Sequence, residues 1–241
     1  MTVSCSTPDP DRPDAEPSKV QRMFATIARR YDFANHLLSG GMDHLWRRKA
    51  VGFVRSWNPS SILDLATGSG DLAIALRKAC PEVVVIGADF CHPMLVQAQA
   101  KGLSQLVVAD ALAMPFPDAA FDVVTIAFGF RNMNPWSGAL KEIFRVLKPG
   151  GHLLILDFSM PKPPLTGLYR WYLHRILPKI ADWCTRQRGA YEYLAESIEK
   201  FPRGKAMLEL LQAHVPFVET TALPLTLGVV SIYTARKNDI S

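Results

Sequence analysis

Residues 61–70, Ser61-Ile-Leu-Asp-Leu-Ala-Thr-Gly-Ser-Gly70, decide how this chain folds. A short apolar run, Ile62–Ala66, carries one acid at Asp64 and passes into a loop with Gly68 and Gly70. Asp71–Cys80 then spaces its apolar residues as a helix does. A strand, a glycine loop and a helix in that order form the first unit of an alternating α/β sheet. Glycine lacks a Cβ, so the loop backbone can approach a ligand closely. Two further apolar runs, Val83–Asp89 and Leu106–Asp110, each end on an acid. In open α/β sheets ligands bind beyond the carboxyl ends of the strands, so three strands with acids at or near those ends outline a nucleoside pocket.

Outward from this core the same rhythm continues. Strands are expected at Phe121–Phe128 and His152–Phe158, and helices at Pro93–Ala100 and Trp136–Leu147, with Lys148-Pro-Gly-Gly151 as a helix stop and turn. The alternation implies a parallel, doubly wound sheet. It breaks at 159–201, a mostly helical stretch that reads as an insertion before the sixth strand. It resumes with a helix at Arg203–His214 and strands at Phe217–Leu223 and Val229–Arg236. The short link Pro224–Gly228 makes those two an antiparallel pair. Before the first strand, Val20, Met23, Phe24, Ile27 and Ala28, then Leu37, Leu38, Leu45, Trp46, Val51 and Val54, recur at helical spacing, so 19–57 reads as a helical cap broken at Ser39-Gly-Gly41. Residues 1–18 hold acids at 9, 11, 14 and 16 among prolines and serines, the composition of a disordered tail. The expected organisation is that tail and one domain over 19–241.

Composition narrows the function. With 49% hydrophobic residues among 241, the chain can build a full core without disulfides. Its four cysteines are scattered with no C-x-x-C pair, which points to reduced cytoplasmic thiols and to neither a zinc site nor a disulfide framework. A net charge of +5 is too small to be a nucleic-acid footprint. No apolar signal core or membrane-spanning run is present, so a cytoplasmic protein is expected.

The glycine loop alone does not choose a cofactor, since Gly68-Ser-Gly70-x-x-Ala73 also passes as a dinucleotide fingerprint. The acids turn the reading toward S-adenosylmethionine. Asp64 lies inside the first strand, where a carboxylate would repel a pyrophosphate and attract a sulfonium and an α-amino group. Asp89 is placed to hold both ribose hydroxyls and Asp110 to accept from an adenine amino group. Each acid alone also reads as a loop or helix cap; the three together favour the cofactor. Thr67, Gly68, Ser69 and Gly70 in the loop, Phe90 and Ala111 beside the second and third acids, and Ala127 at the fourth strand's end complete the expected set.

From Ser61 to Arg236 the chain resembles the class I S-adenosylmethionine-dependent methyltransferases, whose seventh strand is antiparallel. The run Asp110-Ala-Leu-Ala-Met-Pro-Phe-Pro-Asp118, then Phe121-Asp-Val-Val124, and Arg145-Val-Leu-Lys-Pro-Gly-Gly151 carry that resemblance. Finer motifs are similar to the C-methyltransferases of ubiquinone and menaquinone biosynthesis. They are Phe24-x6-Tyr31-Asp32-x2-Asn35, Leu45-Trp46-Arg47, Phe128-Gly-Phe-Arg131-Asn132, Leu177-Pro178, Tyr191-x-Tyr193-Leu194-x2-Ser197-Ile198 and Leu227-Gly-Val-Val230. Three positions depart from the pattern: Ser69 stands in place of Thr, Ala127 where many members carry Ser, and Gly189 in place of Asp.

The resemblance implies methylation of a ring carbon of a reduced polyprenyl quinone, either a demethylmenaquinol or the benzoquinol precursor of ubiquinol. It makes Arg131 the cation that stabilises the ring oxyanion, with Tyr31 as a second polar contact and His174 as a candidate base. Asn132, Tyr191 and Tyr193 would bind the substrate. Each has a plainer alternative: Arg131 as a loop cap, Tyr31, Tyr191 and Tyr193 as packed aromatics, His174 as a rim residue. Leu165–Cys184 sets apolar residues at helical spacing with Arg170, Arg175 and Lys179 off the stripe. Such a segment can cover a substrate pocket or rest on the inner face of a membrane as a peripheral contact. A homodimer is left open. The competing readings are a methyltransferase of another small lipid or aromatic metabolite, an RNA-binding relative, and a nicotinamide dehydrogenase.

Overall fold

The structure, a computed structural model, describes residues 39–176 and 188–239, with the backbone alone for 188–192. Tyr31, Leu177-Pro178 and residues 19–38 of the expected cap lie outside the described residues. The chain enters through α1 (Asp43–Ser56) and then alternates: β1 (Ser61–Leu65), α2 (Asp71–Ala79), β2 (Val84–Asp89), α3 (His92–Ala100), β3 (Leu106–Val108) and β4 (Phe121–Ala127). A single 3-10 turn, Phe130–Asn132, leads to α4 (Trp136–Val146) and β5 (Leu147–Phe158). Then come α5 (Leu165–Trp171), which widens into a π turn at Tyr172–Ile176, α6 (Arg188–Lys200) and α7 (Lys205–His214). β6 (Phe217–Leu225) and β7 (Val230–Lys237) finish the sheet.

The seven strands lie in the order β3-β2-β1-β4-β5-β7-β6. Neighbours from β3 to β5 are parallel, and β7 is antiparallel to both β5 and β6. Strands buried on both faces read as continuous apolar runs rather than alternating ones, and Ile62, Leu63 and Leu65 of β1 are all at most 1% exposed. Leu63, Leu65, Val124 and Ile126 face α4 and α7, while Ile62 and Val123 face α1 and α2. The strand order reverses between β1 and β4, and the crevice at that switch point is where such sheets hold ligands.

Two elements differ from the sequence expectation. The third strand stops at Val108, and Asp110 instead makes an isolated bridge with Ala113. Lys148-Pro-Gly-Gly151 is not a turn after α4 but part of β5. Leu147 already pairs with Phe121, and the register shifts between Phe121 and Val123 to absorb the extra residues. Gly150 takes φ +73 there, and a Cβ on Gly151 would lie 2.8 Å from the Lys148 carbonyl oxygen. The glycines therefore serve a bulge, which also needs residues free of side chains.

Candidate functional site

Parallel pairing of β1 with β4 sets Asp64 beside Thr125. The Thr125 and Thr67 hydroxyls each donate to the Asp64 carboxylate at 2.6 Å. The side chain is 1% exposed. Burial pushes its pKa from 3.8 up to about 6, against the pull of the two hydroxyls and the Arg47 charge. A carboxylate removed from water in this way gains most from a cation placed over it. Arg47, on α1, pairs with Asp43 and lies 3.4 Å from Asp71.

Asp89 ends β2 and holds the glycine loop, accepting from Gly68 N and Cys91 N at 2.8 Å each. Burial raises its pKa as well. A carboxylate has about four lone-pair sites, so two backbone bonds leave it able to accept from a ligand hydroxyl. The loop geometry is tight. Gly70 has φ +83 and leads into α2, and a Cβ on Gly129 would fall 2.6 Å from the Ala66 Cβ. The loops after β1 and β4 thus touch backbone to side chain, which only glycine at 129 permits.

The other expected cofactor residues are more varied. Asp110 is exposed and accepts from Leu112 N at 2.9 Å, with Val108 and Leu112 both presenting apolar surface beside it. Phe90 packs partly buried against Cys91 and Met94. The Ser69 hydroxyl accepts from Lys101 Nζ at 3.0 Å, and the same amine pairs with Asp71 at 2.7 Å. Ala111 and Ala127 are half-buried. Buried carboxylates at the ends of β1 and β2, Asp110 two residues beyond β3 and a glycine-shaped rim fit a nucleoside bearing a sulfonium and an ammonium.

The second half of the site follows β4. Arg131 is buried, not a surface residue, and its Nη1 donates to Asp157 at 2.6 Å and to the Phe128 carbonyl at 2.5 Å. Asp157, 0% exposed on β5, also accepts from the Arg131 and Phe158 backbone N–H groups. The plainer loop-cap reading of Arg131 is thus part of the structure, but so is a buried ion pair. Sequence reasoning missed Asp157, although an acid near the end of an apolar strand is the same signal that found Asp64 and Asp89. The Arg131 guanidinium lies 5.4 Å from the Phe158 ring centre, and Arg47 lies 5.6 Å from that of Phe128. The two rings touch, with centroids 4.8 Å apart, and Trp46 packs against both and donates to Thr226 at 2.7 Å.

Asn132 and Tyr193 come together, the Tyr193 hydroxyl donating to Asn132 Oδ1 at 3.1 Å. The Arg131 charge reaches both Tyr193 and Tyr169, a lid residue the sequence reading did not single out, and opposes the upward push of burial on each phenol. Tyr191 lies on the same helix, α6. His174 stands apart from this group: it is half-exposed and pairs with Glu199 at 3.2 Å, beside Arg170. The apolar stripe of α5 and the π turn is only partly buried. Leu173 is buried, whereas Leu168 and Trp171 are 64% and 55% exposed.

The chain matches a family model described as the ubiE/COQ5 methyltransferase family over residues 13–237. The chain belongs to that family. It is a methyltransferase dependent on S-adenosylmethionine. A demethylmenaquinone methyltransferase from Thermus thermophilus is 49% identical over 88% of this chain and 98% of that protein. A ubiquinone/menaquinone biosynthesis C-methyltransferase, UbiE, from Geobacter sulfurreducens is 42% identical over 91% of this chain and 88% of that one. Solved structures share the fold at low identity. Human N-acetylserotonin methyltransferase in complex with SAM gives a TM-score of 0.62 at 17% identity, covering 94% of this chain and 60% of that one. A SAM-dependent methyltransferase from Thermotoga maritima gives 0.64 at 16%, covering 90% and 99%. Within this family frame the seven-stranded sheet with its antiparallel β7 is the class I methyltransferase fold.

Proposed function

We propose that this methyltransferase transfers a methyl group to a ring carbon of a reduced polyprenyl quinone, a demethylmenaquinol, with the benzoquinol precursor of ubiquinol as the second substrate of the class. The observation that carries the reading is the meeting of Arg131 and Asn132, after β4, with Tyr193 from the lid. The names of the relatives, matched along nearly their whole length, point the same way. S-adenosylmethionine, when bound, supplies a methyl group on a sulfonium, already an electrophile. Asp64 would face its positive charges, Asp89 its ribose hydroxyls and Asp110 its adenine amino group, with the 67–70 loop beneath.

The chain's own task is to make the ring carbon nucleophilic and to aim it. A phenol titrates near pH 10, and a fixed cation lowers that value and stabilises the oxyanion. Arg131 stays protonated. Asp157 fixes its orientation, and a guanidinium with five donors can hold a carboxylate and still address a substrate oxygen. Asn132 and Tyr193 orient the ring, and positioning of this kind is worth several orders of magnitude in rate. In this proposal water takes the phenol proton, with His174 and Tyr31 as the side chains to test as acceptors. Leu168 and Trp171, exposed beside Arg170 on α5, give the lid a greasy, basic face suited to a polyprenyl tail at a membrane surface. None of the helices among the described residues is long and apolar enough to cross a membrane, so the contact proposed is peripheral.

The test is incubation with labelled S-adenosylmethionine and a panel of reduced demethylated naphthoquinones and benzoquinones, with and without polyprenyl tails, followed by mass analysis. Label on a ring carbon of a quinol supports the reading. Label found only on oxygen, or only on non-quinone acceptors, ends it.

A further inference from the structure

Between α1 and α2 lies a cleft of about 760 Å³. Five of its lining residues are Lys or Arg, and Asp71 is the one acid among them. That acid is already engaged by Arg47 and Lys101. Arg48 and Arg55 on α1 and Lys78 on α2 have no ion-pair partner among the described residues, and all three are exposed. Arg48, Gly52 and Arg55 follow one another at i, i+4 and i+7, so they share one face of α1, and Lys78 lines the cleft from the helix across it.

Gly52 is the second observation. It sits in the interior of α1, where glycine is the poorest residue after proline. Its backbone is not left-handed, and a Cβ placed on it would meet nothing within 4 Å. Neither chain geometry nor close packing requires a glycine there. What its missing side chain leaves is open floor between the two arginines. A concave site with uncompensated cations on both walls and a cleared floor suits an anion with several oxygens, because guanidinium groups match phosphate oxygens bidentately.

The geometry points to this cleft as a binding site for phosphate groups, with Arg48, Arg55 and Lys78 as the ligands and Gly52 as the clearance that admits them. It is separate from the proposed quinol site. Phosphate chemistry has two sources, a soluble polyphosphate or the headgroups of an anionic lipid, and the test separates them. The full chain is titrated with inorganic pyrophosphate in a calorimeter and floated with vesicles of phosphatidylglycerol or phosphatidylcholine. It is compared with the triple variant R48Q/R55Q/K78Q and with Gly52→Leu, which fills the floor and keeps every charge. Loss of two or three charge-assisted bonds should weaken binding at least about tenfold, and both variants should show it with S-adenosylmethionine affinity unchanged. Pyrophosphate binding identifies a soluble ligand. Flotation with phosphatidylglycerol alone, lost in both variants, identifies the lipid. Retention of wild-type binding by Gly52→Leu would mean diffuse surface charge and overturn the site, as would failure of the wild type to bind either probe.

Discussion

Cofactor affinity should depend on pH through Asp64. In the free protein this carboxyl titrates near 6, raised from 3.8 by burial. Folding therefore favours its acid form relative to the unfolded chain. With respect to this group the folded protein is most stable below pH 3.8 and loses about 3 kcal/mol as pH rises through 6. A cation bound above Asp64 reverses the preference, so the cofactor has to expel the proton at low pH. If binding requires the ionised form, affinity should be about tenfold lower at pH 5 than on its plateau and about twofold lower at pH 6. Calorimetry from pH 5 to 8, run in buffers of different ionisation enthalpy, reads both the affinity and the proton: about one released per cofactor bound at pH 5 and none near pH 8. Asp64→Asn should abolish this limb and bind about tenfold more weakly at pH 7.5, since a charge-assisted contact becomes a neutral one. A flat wild-type profile, or the same limb in Asp64→Asn, would refute the assignment of Asp64 to the cofactor's charge.

Four other outcomes are expected. Asp157→Asn leaves the Arg131 charge buried without its carboxylate and should cost about 3–5 kcal/mol in urea unfolding. Arg131→Met should keep cofactor affinity but slow methyl transfer about 10²–10³-fold at pH 7, with the deficit shrinking toward pH 10 in single-turnover rates. Gly129→Ala puts a methyl 2.6 Å from the Ala66 Cβ and should cost about 1–3 kcal/mol, with cofactor affinity falling as the loop shifts. Adding Ala66→Gly, at a residue whose φ is +53, should restore both, which thermal shifts with and without cofactor would show. Asp89→Ala removes the anchor of Gly68 N as well as a ribose acceptor and should weaken S-adenosylmethionine at least 10²-fold at about 1.5–3 kcal/mol per bond, in a protein whose circular dichroism is unchanged.

The central sheet was legible because parallel strands buried on both faces need near-continuous apolar runs, and 62–66, 83–88 and 121–128 are such runs, broken only by Asp64, Asp122 and Thr125. Lys148-Pro-Gly-Gly151 misled because a bulge and a turn ask for the same residues; only the pairing of Leu147 with Phe121 tells them apart. Asp64 and Asp89 are singled out by their position at strand ends, and Arg131 by the resemblance. Their partners are not. The bond from Thr125 to Asp64 and that from Arg131 to Asp157 join residues 61 and 26 positions apart, and they follow from sheet register, which no local pattern encodes. Helical spacing over 165–184 shows which residues share a face but not whether anything lies opposite, and Leu168 is open to solvent.

The place of β7 has a consequence for how the enzyme comes into being. It pairs with β5 along 152–158 and with β6 along 217–225, and no direct pairing joins those two strands. Until Val230–Lys237 has left the ribosome, the nascent sheet therefore ends in an unfilled slot beside β5, while the lid helices that hang from that strand are already made. Late arrival of a central strand is a kinetic hazard, since an open edge invites another chain. Synthesis of this enzyme should thus place its greatest demand on chaperones in the interval between β5 and the last strand.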